Sequence, residues 1–215
     1  MIVFLFDASA MARHYFADIG TSNIDRIMAY PESIVAFPSI IRVEVVSATI
    51  SAYNERLIDG DQLDFAMNSF IRDIQLSEGL VEIELAPKHF SEGIEVLKRH
   101  KLVPRGMVGT GKAGLGGADA LYLAVALDVS RELRQDGDRL ILVTSDWALY
   151  NAALDEPDLE AFHFWTCQCS TCGNIRIPQK AQRNVCPRCG KVCETCRRDI
   201  CDSQYVVSFP TVQEA

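Results

Sequence analysis

No cysteine occurs in the first 166 residues of this 215-residue chain; all eight lie between Cys167 and Cys201. That excludes a disulfide framework running through the chain and marks a boundary in composition near residue 166. Also missing is any apolar run near the roughly 18 residues that a bilayer-spanning helix needs, so a membrane partner is not expected. The opening Met1–Phe6 has no basic leader and no small-residue cleavage site, which predicts a soluble, cytoplasmic protein. Positive charge is scarce too: 21 Lys and Arg stand against 29 Asp and Glu, for a formal net charge of −8. An acidic chain does not hold nucleic acid through its overall field. Any such contact has to come from a local patch.

Charge divides where the cysteines do. Residues 1–165 carry 14 basic and 25 acidic side chains, net −11, whereas 166–215 carry 7 and 4, net +3. With 48% hydrophobic residues overall, the first segment can bury a substantial core. The tail, with about 50 residues, has too little core to fold by apolar burial alone. Two domains are expected, 1–165 and 166–215.

The run Ile2–Phe6 is apolar without alternation, as in a strand buried on both faces, and it ends at Asp7 before the helix-forming Ala8-Ser9-Ala10-Met11-Ala12. Val35–Phe37 reads as a strand stopped by Pro38, and 40–57 as a helix apolar on most faces and therefore deeply packed. Helices at 61–76, 87–100 and 118–134, strands at 81–85 and 140–144, a helix capped by Ser145-Asp146 and a last strand at 162–165 continue the pattern. Alternating strands and helices predict an α/β fold with a central parallel sheet covered on both faces. Ligands of such sheets sit beyond the carboxyl ends of the strands, where Asp7 and Asp146 fall.

Four carboxylates stand at useful places: Asp7, Asp119, Asp146, and Glu44 within Ile40-Ile41-Arg42-Val43-Glu44-Val45-Val46. The three aspartates also fit as plain helix caps. Glu44 does not. A carboxylate on the buried face of an apolar helix costs several kcal/mol unless it is paired or binds a cation, and Arg42 points elsewhere. A distant arginine is the structural alternative. If the four acids converge, their hard oxygens suit Mg²⁺ or Mn²⁺, and such a site activates water for phosphodiester hydrolysis.

In this order and spacing the fragments resemble the PIN domains, which include the VapC-type toxin ribonucleases. The resemblance covers about 1–165 and rests on the apolar strand entering Asp7-Ala8-Ser9-Ala10, on Glu44, on Gly117-Ala118-Asp119-Ala120-Leu121-Tyr122-Leu123-Ala124, and on Val143-Thr144-Ser145-Asp146. It implies a three-layer α/β/α sandwich, Mg²⁺ or Mn²⁺ held by Asp7, Glu44, Asp119 and Asp146, and endonucleolytic cleavage of RNA. Ser9 and Ser145 match the family's supporting hydroxyls.

Lys98, Arg99, Lys101, Arg105 and Lys112 precede Asp119, with no acidic residue between Lys98 and Gly117. They read as a clamp on the RNA backbone; a solvated loop is the alternative. The same stretch holds Gly106-Met107-Val108-Gly109-Thr110-Gly111-Lys112-Ala113, one residue from a phosphate-binding loop. Ala113 stands where Ser or Thr would hold Mg²⁺, and Pro104 before it and Gly116-Gly117 after it do not provide a framing strand and helix, so nucleotide binding is not expected. His14, His89, His100 and His163 show no ligand spacing and read as structural or surface residues.

Cys169-Ser170-Thr171-Cys172-Gly173 and Cys186-Pro187-Arg188-Cys189-Gly190 are two C-x-x-C-G knuckles, with 13 residues between Cys172 and Cys186. The pattern resembles a zinc ribbon, with one structural Zn²⁺ on four thiolates. Cys167, Cys193, Cys196 and Cys201 could hold a second Zn²⁺, and exchange of ligands between the sites stays open. A PIN domain followed by a ribbon also resembles the endonuclease that matures small-subunit ribosomal RNA. The expected partners are RNA with a small antitoxin protein, or a ribosomal precursor; a homodimer is left open. The reading from another class is a non-catalytic RNA- or protein-binding adaptor.

Overall fold

The computed structural model describes residues 1–16, 20–31, 33–76, 79–100, 114–168 and 175–176. Strands β1 (Ile2–Phe6), β2 (Ser33–Pro38), β3 (Leu80–Ile83), β4 (Arg139–Thr144) and β5 (Glu160–His163) form one sheet in the order β3-β2-β1-β4-β5. Every neighbouring pair is parallel. The two strands with unbroken apolar sequence occupy the middle: β1 is buried at all five residues, and β4 from Leu140 to Thr144. Edge strands β3 and β5 have four residues each and are mostly half-exposed. A sheet of this kind needs cover on both faces, because its middle strands have no polar side.

Helices supply that cover. Along the chain they are α1 (Ala8–Tyr15), α2 (Thr21–Met28), α3 (Ile41–Asn54), α4 (Gly60–Leu76), α5 (Pro87–Arg99), α6 (Gly117–Gln135) and α7 (Trp147–Leu154). The first four pack among themselves, and the last three form a second packed group. From β1 the chain moves outward through β2 to β3, then returns to place β4 on the other side of β1. Right-handed crossovers in opposite directions put their helices on opposite faces. The seam between β1 and β4 is therefore the point where the winding reverses, and it is at such a point, beyond the strand ends, that sheets of this kind bind ligands. Beyond β5, the short strands β6 (Cys167–Gln168) and β7 (Ile175–Arg176) pair antiparallel.

Two expectations need correction. The helix at 40–57 is not deeply packed. Only Ile41, Val45, Thr49 and Ala52 of α3 are buried, while Val43 is 73% exposed and Ile50 and Tyr53 also face solvent. One stripe of α3 lies inside the helical group, and the apolar residues on the other faces have no core to enter. In addition, α2 was not anticipated. It has eight residues, and its buried positions are Asn23, Ile24 and Ile27. Asn23 Nδ2 donates to the carbonyl oxygens of Phe164 (2.7 Å) and Thr166 (3.2 Å), tying α2 to the segment after β5.

That junction also fixes a glycine. Gly20 caps α2 with φ +89, and a β-carbon there would lie 2.5 Å from Phe164 Cδ2 and 2.8 Å from the Phe164 carbonyl oxygen. Gly20→Ala therefore combines left-handed strain with a backbone clash and is expected to destabilise the protein by about 2–3 kcal/mol. The urea midpoint checks this, with a loss below about 0.5 kcal/mol counting against the packing described here.

Candidate active site

Asp7 follows the last residue of β1 at the reversal seam and is 5% exposed. Its amide donates to the Val143 carbonyl (3.2 Å), which continues the β1–β4 ladder by one residue. Its side chain caps α1: Oδ1 accepts from the Ala10 amide and from the Ser9 hydroxyl, both at 2.8 Å. Oδ2 accepts from the Thr144 hydroxyl at 2.5 Å. Thr144 Oγ1 accepts in turn from the Asp146 amide (2.9 Å), and Ser9 Oγ accepts from the Ser145 amide (3.0 Å) and the Ser145 hydroxyl (3.1 Å). Ser9, Thr144 and Ser145 thus join the ends of the two central strands. The two serines carried a sequence signal. Thr144 did not, because as the last residue of an apolar strand it reads as β-branched filler.

The other acids arrive from separate elements. Asp146 caps α7, its Oδ1 accepting from the Ala148 (2.7 Å) and Leu149 (2.9 Å) amides. Asp119 lies in the first turn of α6, and its Oδ2 accepts from the Gly116 amide at 2.9 Å. Glu44 is half-buried in the first turn of α3, and its Oε2 accepts from the Tyr122 hydroxyl at 2.6 Å. Tyr122, on α6, is the partner that a carboxylate in this helix requires, whereas Arg42 pairs with Glu82 on β3. Three of the acids therefore do act as caps. Each of Asp146, Asp119 and Glu44 nevertheless keeps one carboxylate oxygen with no hydrogen bond among the described residues.

Electrostatics connect the four. Burial pushes the Asp7 carboxyl up to about 7, against the lowering effect of its Thr144, Ala10 and Ser9 hydrogen bonds, and repulsion from Asp119 adds to the rise. Asp119 is raised chiefly by burial; the Gly116 amide opposes this, and the charges of Asp146 and Glu44 add to it. Asp119 is within Coulombic reach of each of the other three, yet among the described residues no three His, Cys, Asp or Glu side chains stand together to hold a metal ion. A groove of about 610 Å³ between Tyr53 and Gln62 lies at the α3–α4 junction and contains none of the four.

His163 ends β5 opposite Thr144 in the register and is fully buried. Trp147 (ring centroids 4.7 Å apart), Tyr150 (5.4 Å) and Trp165 (5.6 Å) surround it, and this burial pushes its pKa down to about 4. It is a core histidine, in line with its lack of ligand spacing. Of the expected RNA clamp, Lys98 pairs with Glu95 (2.6 Å), and Arg99 with Glu92 and Glu156 (both 3.1 Å). Lys101, Arg105 and Lys112 lie outside the described residues, as do the cysteines from Cys169 onward.

No protein-family model matches the sequence, and no curated protein matches it. Among solved structures, the chain is similar to VapBC2 from Rickettsia felis, solved bound to a DNA fragment from its promoter. The identity is 16%, the match covers 74% of this chain and 97% of that one, and the TM-score is 0.43. It is also similar to Mycobacterium tuberculosis VapC20, described as a sarcin–ricin loop cleaving toxin (17%, 69% and 94%, 0.44). PAE2754 from Pyrobaculum aerophilum gives 17%, 74% and 89%, and 0.45. The likeness is one of chain path at low identity and transfers no residue's role.

Asp7 and His163 oppose each other in pH dependence. The folded protein keeps a proton on Asp7 that the unfolded chain releases between about pH 4 and 7, so this group removes stability as pH rises through that window. The unfolded chain gains a proton on His163 that the folded protein refuses until about pH 4, so stability falls as pH drops below 6.5. Asp7→Asn removes only the first effect. In EDTA its stability relative to the parent should be unchanged near pH 4 and grow to about 2–4 kcal/mol at pH 8. Urea titrations at several pH values test this; a difference that stays constant with pH would exclude a proton-holding Asp7.

Proposed function

We propose that this chain is a metal-dependent endoribonuclease of the PIN type, with Asp7, Glu44, Asp119 and Asp146 as ligands for Mg²⁺ or Mn²⁺. The supporting observation is the supply of oxygens at the β1–β4 seam. Asp7 at that seam is repelled by Asp119, which is repelled in turn by Asp146 and Glu44, and Glu44, Asp119 and Asp146 each keep an oxygen with no hydrogen bond among the described residues. The donor set fits a hard divalent cation: it is all oxygen, formally −4, and includes a buried acid whose charged form is disfavoured without a counter-charge. A divalent ion at such a site supplies a water of lowered pKa and neutralises charge on the phosphate.

The chain's own residues prepare that chemistry. Thr144, Ser9 and the Ala10 amide fix both oxygens of Asp7, so the most buried acid cannot rotate away. Paired backbone amides orient Asp146, and the Gly116 amide orients Asp119. Because Lys98 and Arg99 are engaged by Glu95, Glu92 and Glu156, RNA backbone contact falls to Lys101, Arg105 and Lys112. The basic tail joins them. Residues 166–215 are proposed to fold as a separate zinc-ribbon module on Cys169, Cys172, Cys186 and Cys189, with Cys167, Cys193, Cys196 and Cys201 as a second set. The pairing of Cys167–Gln168 with Ile175–Arg176, on either side of the first knuckle in sequence, suits a hairpin of this kind. A nucleic-acid-binding tail favours a processing enzyme acting on a structured ribosomal precursor over a toxin held by a small antitoxin.

End-labelled structured RNA incubated with the full chain should be cut at discrete positions in Mn²⁺ or Mg²⁺ and left intact in EDTA. Asp119→Asn should lower the rate by on the order of 100-fold or more while leaving the melting temperature in EDTA within a few degrees. Failure to cut several RNAs, with no Mn²⁺ bound at the carboxylates, would favour the non-catalytic adaptor. Elemental analysis of the purified chain should find one or two zinc ions per molecule, and a zinc-free protein with unchanged folding of the tail would remove the ribbon.

A further inference from the structure

We infer that Trp147, with Tyr150 beside it, is a stacking surface for an unpaired nucleobase next to the phosphate that is cleaved. The inference rests on the ribonuclease reading above. Trp147 directly follows the exposed Asp146 and opens α7, and Tyr150 stands three residues further along the helix. The two rings meet edge to face, with centroids 6.1 Å apart and planes at 82°. Both lie against the buried ring of His163, at 4.7 and 5.4 Å, and Trp165 lies against it at 5.6 Å. The chain has two tryptophans, and both are in this group. His163 is paired with Thr144 in the register, and the Thr144 hydroxyl donates to Asp7, so the aromatic group stands one strand away from the β1–β4 seam.

Trp147 and Tyr150 are each half-buried. Their contacts with His163 hold the rings in place, and the part left uncovered is rigid and aromatic. Such a surface suits a nucleobase, because every base has a π-face and little side-chain freedom remains to be lost on binding. A base inside a duplex has both faces covered by its neighbours, so the ligand is a nucleotide splayed out of a helix. Position and charge both select a base from among flat apolar ligands. Trp147 is the residue next to Asp146, so a phosphate at the acids brings the bases on either side of it to this end of α7. Attraction for an anionic strand is weak here, since residues 1–165 carry a net −11 and Lys98 and Arg99 are paired with Glu95, Glu92 and Glu156. Stacking on an aromatic ring holds the strand without a counter-charge.

Fluorescence anisotropy of the full chain, without added Mg²⁺ or Mn²⁺, compares a labelled unpaired oligoadenylate with the same sugar-phosphate chain lacking its bases. The parent should bind the RNA that carries bases about tenfold more tightly. Trp147→Leu should bring this ratio close to one, and Trp147→Phe, which keeps a ring, should retain most of it. A partly unfolded variant binds both RNAs less and leaves the ratio of its folded fraction unchanged. A Trp147→Leu ratio equal to the parent's overturns the inference, as does a parent that binds neither RNA or does not distinguish them. The two readings fail separately. RNA cut in Mn²⁺ by a chain whose binding ignores Trp147 leaves the ribonuclease standing without the stacking surface, and a Trp147-dependent ratio with no cutting leaves the stacking surface without the chemistry.

Discussion

One carboxylate has to be kept at the buried end of the middle strand of a parallel sheet, and much of the site follows from how that is done. Asp7 cannot be hydrated where β1 ends, so its oxygens must find donors within the fold. They come from the first turn of α1, through Ala10 and Ser9, and from the end of β4, through Thr144. The bond to Thr144 crosses the seam where the winding of the sheet reverses. It therefore holds together the two strands whose helices leave toward opposite faces. Hydrogen bonds to a charged acceptor contribute about 1.5–3 kcal/mol each, which offsets much of the desolvation but not all of it. The Asp7 carboxyl stays raised to about 7 despite three of them. What the hydrogen bonds leave uncompensated is a preference of the Asp7 carboxyl at the β1–β4 seam for its protonated form.

Several of the described cations are paired with carboxylates away from Asp7. Arg99 and His100, at the end of α5, close on Glu156 just after α7, and Arg99 also takes Glu92. Burial would raise Glu156, but His100 and Arg99 hold its pKa down. Arg42 is turned to Glu82, and Arg139 to Glu160 at the sheet edge. Such partly exposed pairs contribute only about 0–1 kcal/mol each to stability. Their larger effect is on charge distribution, because each of these cations is paired with a carboxylate other than the four acids.

What the sequence disclosed depended on how locally each feature is determined. Strands β1 and β4 were legible because an unbroken apolar run in an α/β alternation has few other uses. The capping aspartates were legible because Asp before a helix needs no distant partner. The α3 helix misled for the opposite reason: Val43, Ile50 and Tyr53 look like core, and only the packing of α1 and α4 decides that they are not. Helix α2 escaped notice because half of what fixes it, the carbonyls of Phe164 and Thr166, lies more than 140 residues away. Thr144 escaped because its hydroxyl matters only once β1 lies beside β4.

Glu44 shows where the two kinds of information meet. Its burial in an apolar stretch was enough to require a partner, and the requirement was met, but by a tyrosine 78 residues away in sequence and not by an arginine. The difference is chemical. An arginine would have brought a counter-charge to the carboxylate, whereas a phenol satisfies one oxygen and brings none. Burial and the neighbouring Glu44 charge drive Tyr122 ionisation far upward, so the phenol remains a donor at any physiological pH. The same choice recurs at the other acids, where, among the described residues, amides and hydroxyls occupy the oxygens that are used. Neutral donors orient these acids without supplying a counter-charge, so the repulsion of Asp119 against Asp7, and of Asp146 and Glu44 against Asp119, is left standing.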